Sequence, residues 1–277
     1  MSVAPRQIGL SAPWLDEREE ELVVEVLRSG RLSLGPWIDR FEEELAATVG
    51  APYAAAVSSG TAGLHLLCVA AGIAPGDEVI TSPYSFVASA NCAIYEGGVP
   101  VFADIDPRTL NLDPAAVEAA ITSRTKAIVA VDIFGYPSEM DELQAIANRH
   151  GLALIDDSCE ALGARYKGRP LGAQGQDAVW AFYPNKQITT GEGGVVTTSS
   201  EEPWKLLKSL RNQGRADGGG WLDHARLGFN YRIDDIRAAI GIGQLEKLDR
   251  ILAARRQVAA RYTALLDGVD GLGLPCP

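Results

Sequence analysis

The sequence predicts an α/β fold in which a mixed, mostly parallel sheet is flanked by helices. Short apolar runs, of which KAIVAVDIF at 126–134 is the longest, alternate with amphipathic helical stretches. Strands buried on both faces are what a parallel sheet requires. The composition supplies a sizeable core, with 47% hydrophobic and 22% charged residues over 277 positions.

The chain opens with helical periodicity. Residues 16–29 carry Leu22, Val23, Val26 and Leu27 at helical spacing, and Gly30 follows as a stop. Residues 39–49 repeat the pattern. Strands are predicted at 53–57, 77–82, 99–105, 126–134, 152–156, 179–183 and 193–198, with helices at 61–72, 85–96, 113–122 and 139–150 between the earlier ones. Only PNKQITTGE joins the last two strands, which is too short for a crossover helix. Those two strands either pair antiparallel or lie apart in the sheet. DGGG at 217–220 reads as a mobile loop, and a long helical pattern runs from Asp234 to about Leu266. The predicted division is a large domain at 1–233, then a linking helix and the start of a second region at 234–277.

A net charge of −11 repels nucleic acid and anionic membrane surfaces. No apolar run approaches the roughly 18 residues of a membrane span, and MSVAPRQIGL has no apolar leader segment. A soluble, cytoplasmic protein is expected. Cys68, Cys92, Cys159 and Cys276 form no CxxC pair, and His65, His150 and His224 have no metal-ligand spacing. They read as reduced, incidental thiols with no metal site.

Three segments fall at the carboxyl ends of predicted strands, where open α/β sheets bind ligands. Val57-Ser58-Ser59-Gly60-Thr61-Ala62-Gly63 joins a strand to a helix. Its small residues suit either an anion held by helix N–H groups and hydroxyls or an ordinary N-cap. Asp156 and Asp157 end a buried strand, where a carboxylate is costly without a partner. That partner is a protonated ring nitrogen, a metal or the next helix N-terminus, or else the residue merely caps that helix. Lys186 is the one cation in a long neutral stretch before a glycine-rich turn. It is either a Schiff-base lysine or a solvated loop residue. An anion cup, a carboxylate and a lone lysine on one sheet edge match the needs of pyridoxal phosphate. Phe86 follows another strand end and either stacks on a ring or fills core.

With these residues stand further motifs: Gly76-Asp77-Glu78-Val79-Ile80, Asp156-Asp157-Ser158-Cys159-Glu160-Ala161-Leu162-Gly163, Leu210-Arg211-Asn212-Gln213-Gly214 and Gly228-Phe229-Asn230-Tyr231-Arg232. In this order the chain resembles the sugar aminotransferases of the DegT/DnrJ/EryC1/StrS family. The resemblance implies the aspartate-aminotransferase-like fold type I and pyridoxal 5'-phosphate as cofactor. It implies that Lys186 forms the Schiff base and shuttles protons, and that Asp157 partners the pyridine nitrogen. Ser59, Gly60 and Thr61 would bind the phosphate, Phe86 would lie on the ring, and Glu160 would sit near the ring hydroxyl. Asn230 would reach the cofactor phosphate of a neighbouring subunit, making a homodimer with shared sites. Ala181 stands where many relatives have a phosphate-binding Ser. Family members continue beyond this length, so the C-terminal small domain reads as incomplete. The implied reaction transfers an amino group from an amino acid, glutamate first, to a nucleotide-linked keto-deoxysugar. The other reading on the same fold is a catalytically weak regulatory or sensor protein. A nicotinamide enzyme is disfavoured, since no strand is followed by GxGxxG.

Overall fold

The computed structural model describes residues 9–216, 218, 220 and 222–275. Asp217 and Gly219 of the glycine-rich loop, and Cys276, lie outside the described residues. Helix α1 (Glu17–Ser29) starts at a capping box between Asp16 and Glu19 and ends at Gly30, whose φ of 68° needs no Cβ. Helix α2 (Pro36–Val49) begins before the predicted residue 39. Its cap comes from far along the chain: the Asp235 carboxylate accepts from Gly35 N at 2.9 Å and Trp37 N at 3.2 Å. Local sequence holds no trace of such a cap.

The elements that follow are β1 (Tyr53–Val57), α3 (Gly60–Ala70), β2 (Glu78–Thr81), α4 (Ala88–Ile94), β3 (Val99–Phe102), α5 (Pro114–Ala120), β4 (Thr125–Val131), α6 (Met140–His150) and β5 (Ala153–Asp157). A small hairpin of β6 (Arg165–Tyr166) and β7 (Arg169–Pro170) precedes β8 (Asp177–Ala181) and β9 (Gly194–Thr198). Helices α7 (Glu201–Leu210), α8 (Asp235–Glu246) and α9 (Leu248–Leu266) complete the chain.

Seven strands form one mixed sheet in the order β1-β9-β8-β5-β4-β2-β3. Strand β9 runs antiparallel to both neighbours, and every other pairing is parallel. The two strands joined by PNKQITTGE therefore pair antiparallel. Alternate residues enter two cores, one on each face of the sheet. Ala54, Ala56, Ile80, Ile128, Ala130 and Trp180 meet α1, α2, α6 and α8. Ala55, Val57, Val79, Val129 and Val179 meet α3, α4 and α7. Gly63 lets α3 lie close on the sheet, since a Cβ there would come 2.8 Å from Val179 Cγ1.

Three expectations are corrected. The single helix expected over 234–266 is two helices meeting at Lys247, whose φ of −116° breaks the pattern. The Lys247 side chain is buried there, 2.7 Å from Glu19 Oε2 and 2.9 Å from Asp16 Oδ2. Helix α8 carries Ala238, Ala239 and Ile242 into the core beside α1 and α2, whereas α9 buries only Leu248 and Ile251. The strand expected over 126–134 stops at Val131, and Phe134 turns with a φ of 54°. Helix α7 is absent from the predicted elements, although Pro203 is no obstacle to it. That proline sits in the first turn, where its missing N–H has no helical partner to lose.

Candidate active site

The turn between β1 and α3 forms a cup. Ser59 is the N-cap of α3, and its Oγ accepts from Ala62 N at 3.1 Å. The first-turn amides of Gly60 and Thr61 precede the intrahelical ladder, at the positive end of the helix dipole. The cup is pressed onto the ends of β8 and β9. A Cβ on Gly60 would lie 2.7 Å from Ala181 Cβ and 3.0 Å from Cys159 Sγ, and one on Gly194 would lie 2.7 Å from the Ser59 carbonyl carbon. Because Gly194 meets backbone, Gly194→Ala should cost about 1–3 kcal/mol and weaken cofactor binding. A thermal melt with a cofactor titration checks both.

The paired aspartates diverge, as alternation along a strand requires. Asp157 Oδ2 accepts from Ser89 Oγ at 2.7 Å, and its Oδ1 from Cys159 N at 3.3 Å. Ser89 in turn meets Ser85 Oγ at 2.7 Å. Asp156 turns to the other face, where its Oδ2 accepts from Gln176 Nε2 at 3.4 Å. Burial, then the nearby Asp132 charge, raises the Asp156 carboxyl well above the usual carboxylate range. Burial also pushes Asp132 up to about 6, against bonds from Ser138 N at 2.7 Å and Ser158 Oγ at 3.1 Å.

These two acids bind protons more tightly folded than unfolded, so the folded state carries more protons above the ordinary carboxylate pKa. The stability this pair contributes should therefore be fully present below about pH 4 and be lost as pH rises through about 6 and beyond. Asp156→Asn should flatten that slope in melts recorded between pH 5 and 8. An unchanged slope would show that the pair does not titrate in this window.

Lys186 lies in the turn after β8, its side chain 18% exposed, with Nζ 3.1 Å from Glu160 Oε1. The other Glu160 oxygen accepts from Phe134 N at 2.9 Å, and the Gln187 side chain donates to the Glu160 carbonyl. Arg255 of α9 donates to the Lys186 carbonyl at 2.6 Å. Lys186, Glu160 and Phe134 line a cavity of about 780 Å³ whose other walls include residues 10–14 and α9. Cys159 ties the parts together. Its amide holds Asp157, and its sulfur adjoins Gly60. Burial, then the Asp157 carboxylate, raises its thiol well above the usual range. Cys68 and Cys92 are buried free thiols.

Phe86 is 75% exposed, which removes its reading as core. Asn230 is exposed and does not line the Lys186 cavity. Its segment runs beside the strand leading to the cup, with Ser58 N donating to Tyr231 O at 2.8 Å. Sequence reasoning missed Ser89 and Phe134. Ser89 reaches Asp157 across 68 positions from within a helix, a pairing only the fold makes visible.

A mixed sheet of this order, with a cup, a buried carboxylate and a loop lysine at its strand ends, defines the class of pyridoxal-phosphate-dependent aminotransferases. The chain belongs to the DegT/DnrJ/EryC1/StrS aminotransferase family, whose model matches residues 13–276. It is 45% identical over 263 residues to the GDP-perosamine synthase of Caulobacter vibrioides, covering 95% of this chain and 70% of that protein. It is 41% identical over 274 residues to the spore coat polysaccharide biosynthesis protein SpsC of Bacillus subtilis, covering 96% and 70%. Among solved structures, DesV of S. venezuelae superposes with a TM-score of 0.90 at 37% identity, over 96% of this chain and 73% of that one. Family members use pyridoxal phosphate, and a structural neighbour from Streptococcus pneumoniae was solved in its PLP form. No helix among the described residues is long and apolar enough to cross a membrane.

Proposed function

We propose that this chain moves an amino group from an amino acid, with glutamate the first candidate, to a nucleotide-linked keto-deoxysugar destined for polysaccharide or glycoside synthesis. The observation that carries the reading is Lys186: a half-buried amine, fixed by Glu160, facing a cavity of about 780 Å³. The name of the perosamine relative supports a nucleotide-linked sugar, and that of SpsC a polysaccharide product.

The residues present fit pyridoxal phosphate: an amine for the aldehyde, first-turn amides for the phosphate and a buried carboxylate for the ring nitrogen. When bound, the cofactor supplies an electron sink for the charge that develops as the donor's α-proton leaves. Ser59, Gly60 and Thr61 would hold the phosphate with amides and hydroxyls. Asp157, fixed by Ser89 and the Cys159 amide, would partner the ring nitrogen and favour its protonated form. Phe86 would flank the ring. Glu160, which holds Lys186 Nζ in place, would serve the ring hydroxyl. Lys186 would be the amine that takes up the aldehyde, and its Nζ would hold the proton that leaves the donor carbon. The domain division at 1–233 and 234–277 and a cytoplasmic location belong to the same reading.

Asn230 serves the partner subunit's phosphate cup, so the protein is a homodimer with shared sites. Cofactor affinity should then fall on dilution, because assembly and binding are linked. Ultracentrifugation at several concentrations, with occupancy read from visible absorbance, checks this. A monomer with full cofactor content would rule out the shared site.

The transfer itself is tested by converting the yellow protein to its amine form with L-glutamate, then adding a panel of nucleotide keto sugars. Return of the yellow absorbance with one sugar supports the reading. A relative from Geobacillus stearothermophilus, 39% identical over 272 residues, bears the name pleiotropic regulatory protein. Cofactor binding with no return of colour on any sugar would favour that regulatory alternative.

A further inference from the structure

Gln244 on α8 is 1% exposed and makes three hydrogen bonds to three separate segments. Its Nε2 donates to Trp14 O at 2.7 Å and to Glu19 Oε1 at 2.7 Å, and its Oε1 accepts from Thr189 N at 3.3 Å. Trp14 ends the strap of residues 10–14 that walls the Lys186 cavity, and Thr189 belongs to the Lys186 turn that also lines it. An apolar side chain of similar volume would fill the site without the cost of burying an amide. A carboxamide can donate to both the strap and Glu19 while it accepts from the turn, which a hydroxyl with its single proton cannot.

The partners are themselves held firmly. Glu19 Oε2 accepts from Lys247 Nζ at 2.7 Å and from Asp16 N at 2.9 Å. Thr189 Oγ1 donates to Phe182 O at 3.0 Å, and Lys186 N donates to Tyr183 O at 2.9 Å, so both residues of the turn are tied to the chain that leaves β8.

We propose that Gln244 is a positioning residue: its single carboxamide ties the N-terminal strap and the Lys186 turn to one point on α8 and sets the separation of the cavity walls. The catalytic consequence rests on Lys186 as the reacting amine. The mechanical link does not.

Two measurements test it on the full chain. Amide exchange of the cofactor-free protein reads the link directly. In Gln244→Met the Thr189 amide, which loses its acceptor, should exchange about tenfold faster, while those of β4 stay unchanged. If the Thr189 amide keeps its wild-type rate, the tie is not there. Should the variant fail to fold, the wild-type protein decides. Its Thr189 amide should exchange at least about tenfold slower than an exposed chain amide, and an unprotected amide overturns the link. In the cofactor-loaded enzyme, with L-glutamate as the probe, Gln244→Met should raise KM about tenfold and change the limiting rate by less than about threefold, because the walls must be ordered on binding. A residue that only stabilises the fold would leave KM unchanged, and that result overturns the positioning role. If the wild-type enzyme itself does not react with L-glutamate, the donor assignment fails and the exchange result stands.

Discussion

Lys186→Ala should abolish transamination, lowering the rate at least about 10⁴-fold, because one amine both anchors the cofactor and carries the proton. The fold should survive. Lys186 lies in a turn, its ion pair with Glu160 is partly exposed, and its backbone bond to Tyr183 does not use the side chain. Such pairs contribute little to stability. The melting temperature should therefore stay close to wild type while the yellow species disappears. Single-turnover assays with the amino donor, alongside a thermal melt, separate the two effects. A variant that still turns over at a tenth of the wild-type rate would remove Lys186 from the chemistry.

The second large effect belongs to Asp157. Asp157→Asn keeps the shape of the side chain and can keep the bond from Ser89, which is 2.7 Å in the native protein. It loses the negative charge that favours a protonated ring nitrogen. Cofactor should still bind, but the rate should fall about 10²–10³-fold, the size typical of losing one preorganised electrostatic partner. Asp156→Asn is the control. Asp156 faces Gln176 and Asp132 on the other side of the strand, so its effect on rate should stay within about tenfold. Steady-state rates of both variants, measured at equal cofactor occupancy, decide the matter. Equal losses would mean that Asp157 has no special place at the ring.

The two variants also show why part of this site is legible in the sequence. The alternation of side chains along a strand is enough to send Asp156 and Asp157 to opposite faces, and small residues at a strand end announce a close turn. Lys186 stands out because its neighbours carry no charge. The buried strands at 53–57, 125–131 and 194–198 are visible as apolar runs because a sheet covered on both faces leaves little room for polar residues. What escapes depends on contacts across the chain. Ser89 touches Asp157 only because the fold brings α4 to the end of β5. The cap of α2 comes from Asp235, 200 positions away. The break at Lys247 is set by a buried ion pair with α1 rather than by a proline or glycine. Phe134 adopts a left-handed turn, with a φ of 54°, although its residue type gives no warning of it. Local propensity carries no record of such partners.

Lys186 as the amine that takes up the cofactor can be tested directly, without a substrate. The wild-type protein is loaded with pyridoxal phosphate, reduced with borohydride and cut into peptides, and the modified lysine is located by mass spectrometry. The modification should fall on Lys186 alone, in the peptide that follows β8. A reduced adduct on another lysine, or none at all from a fully loaded protein, would contradict the account.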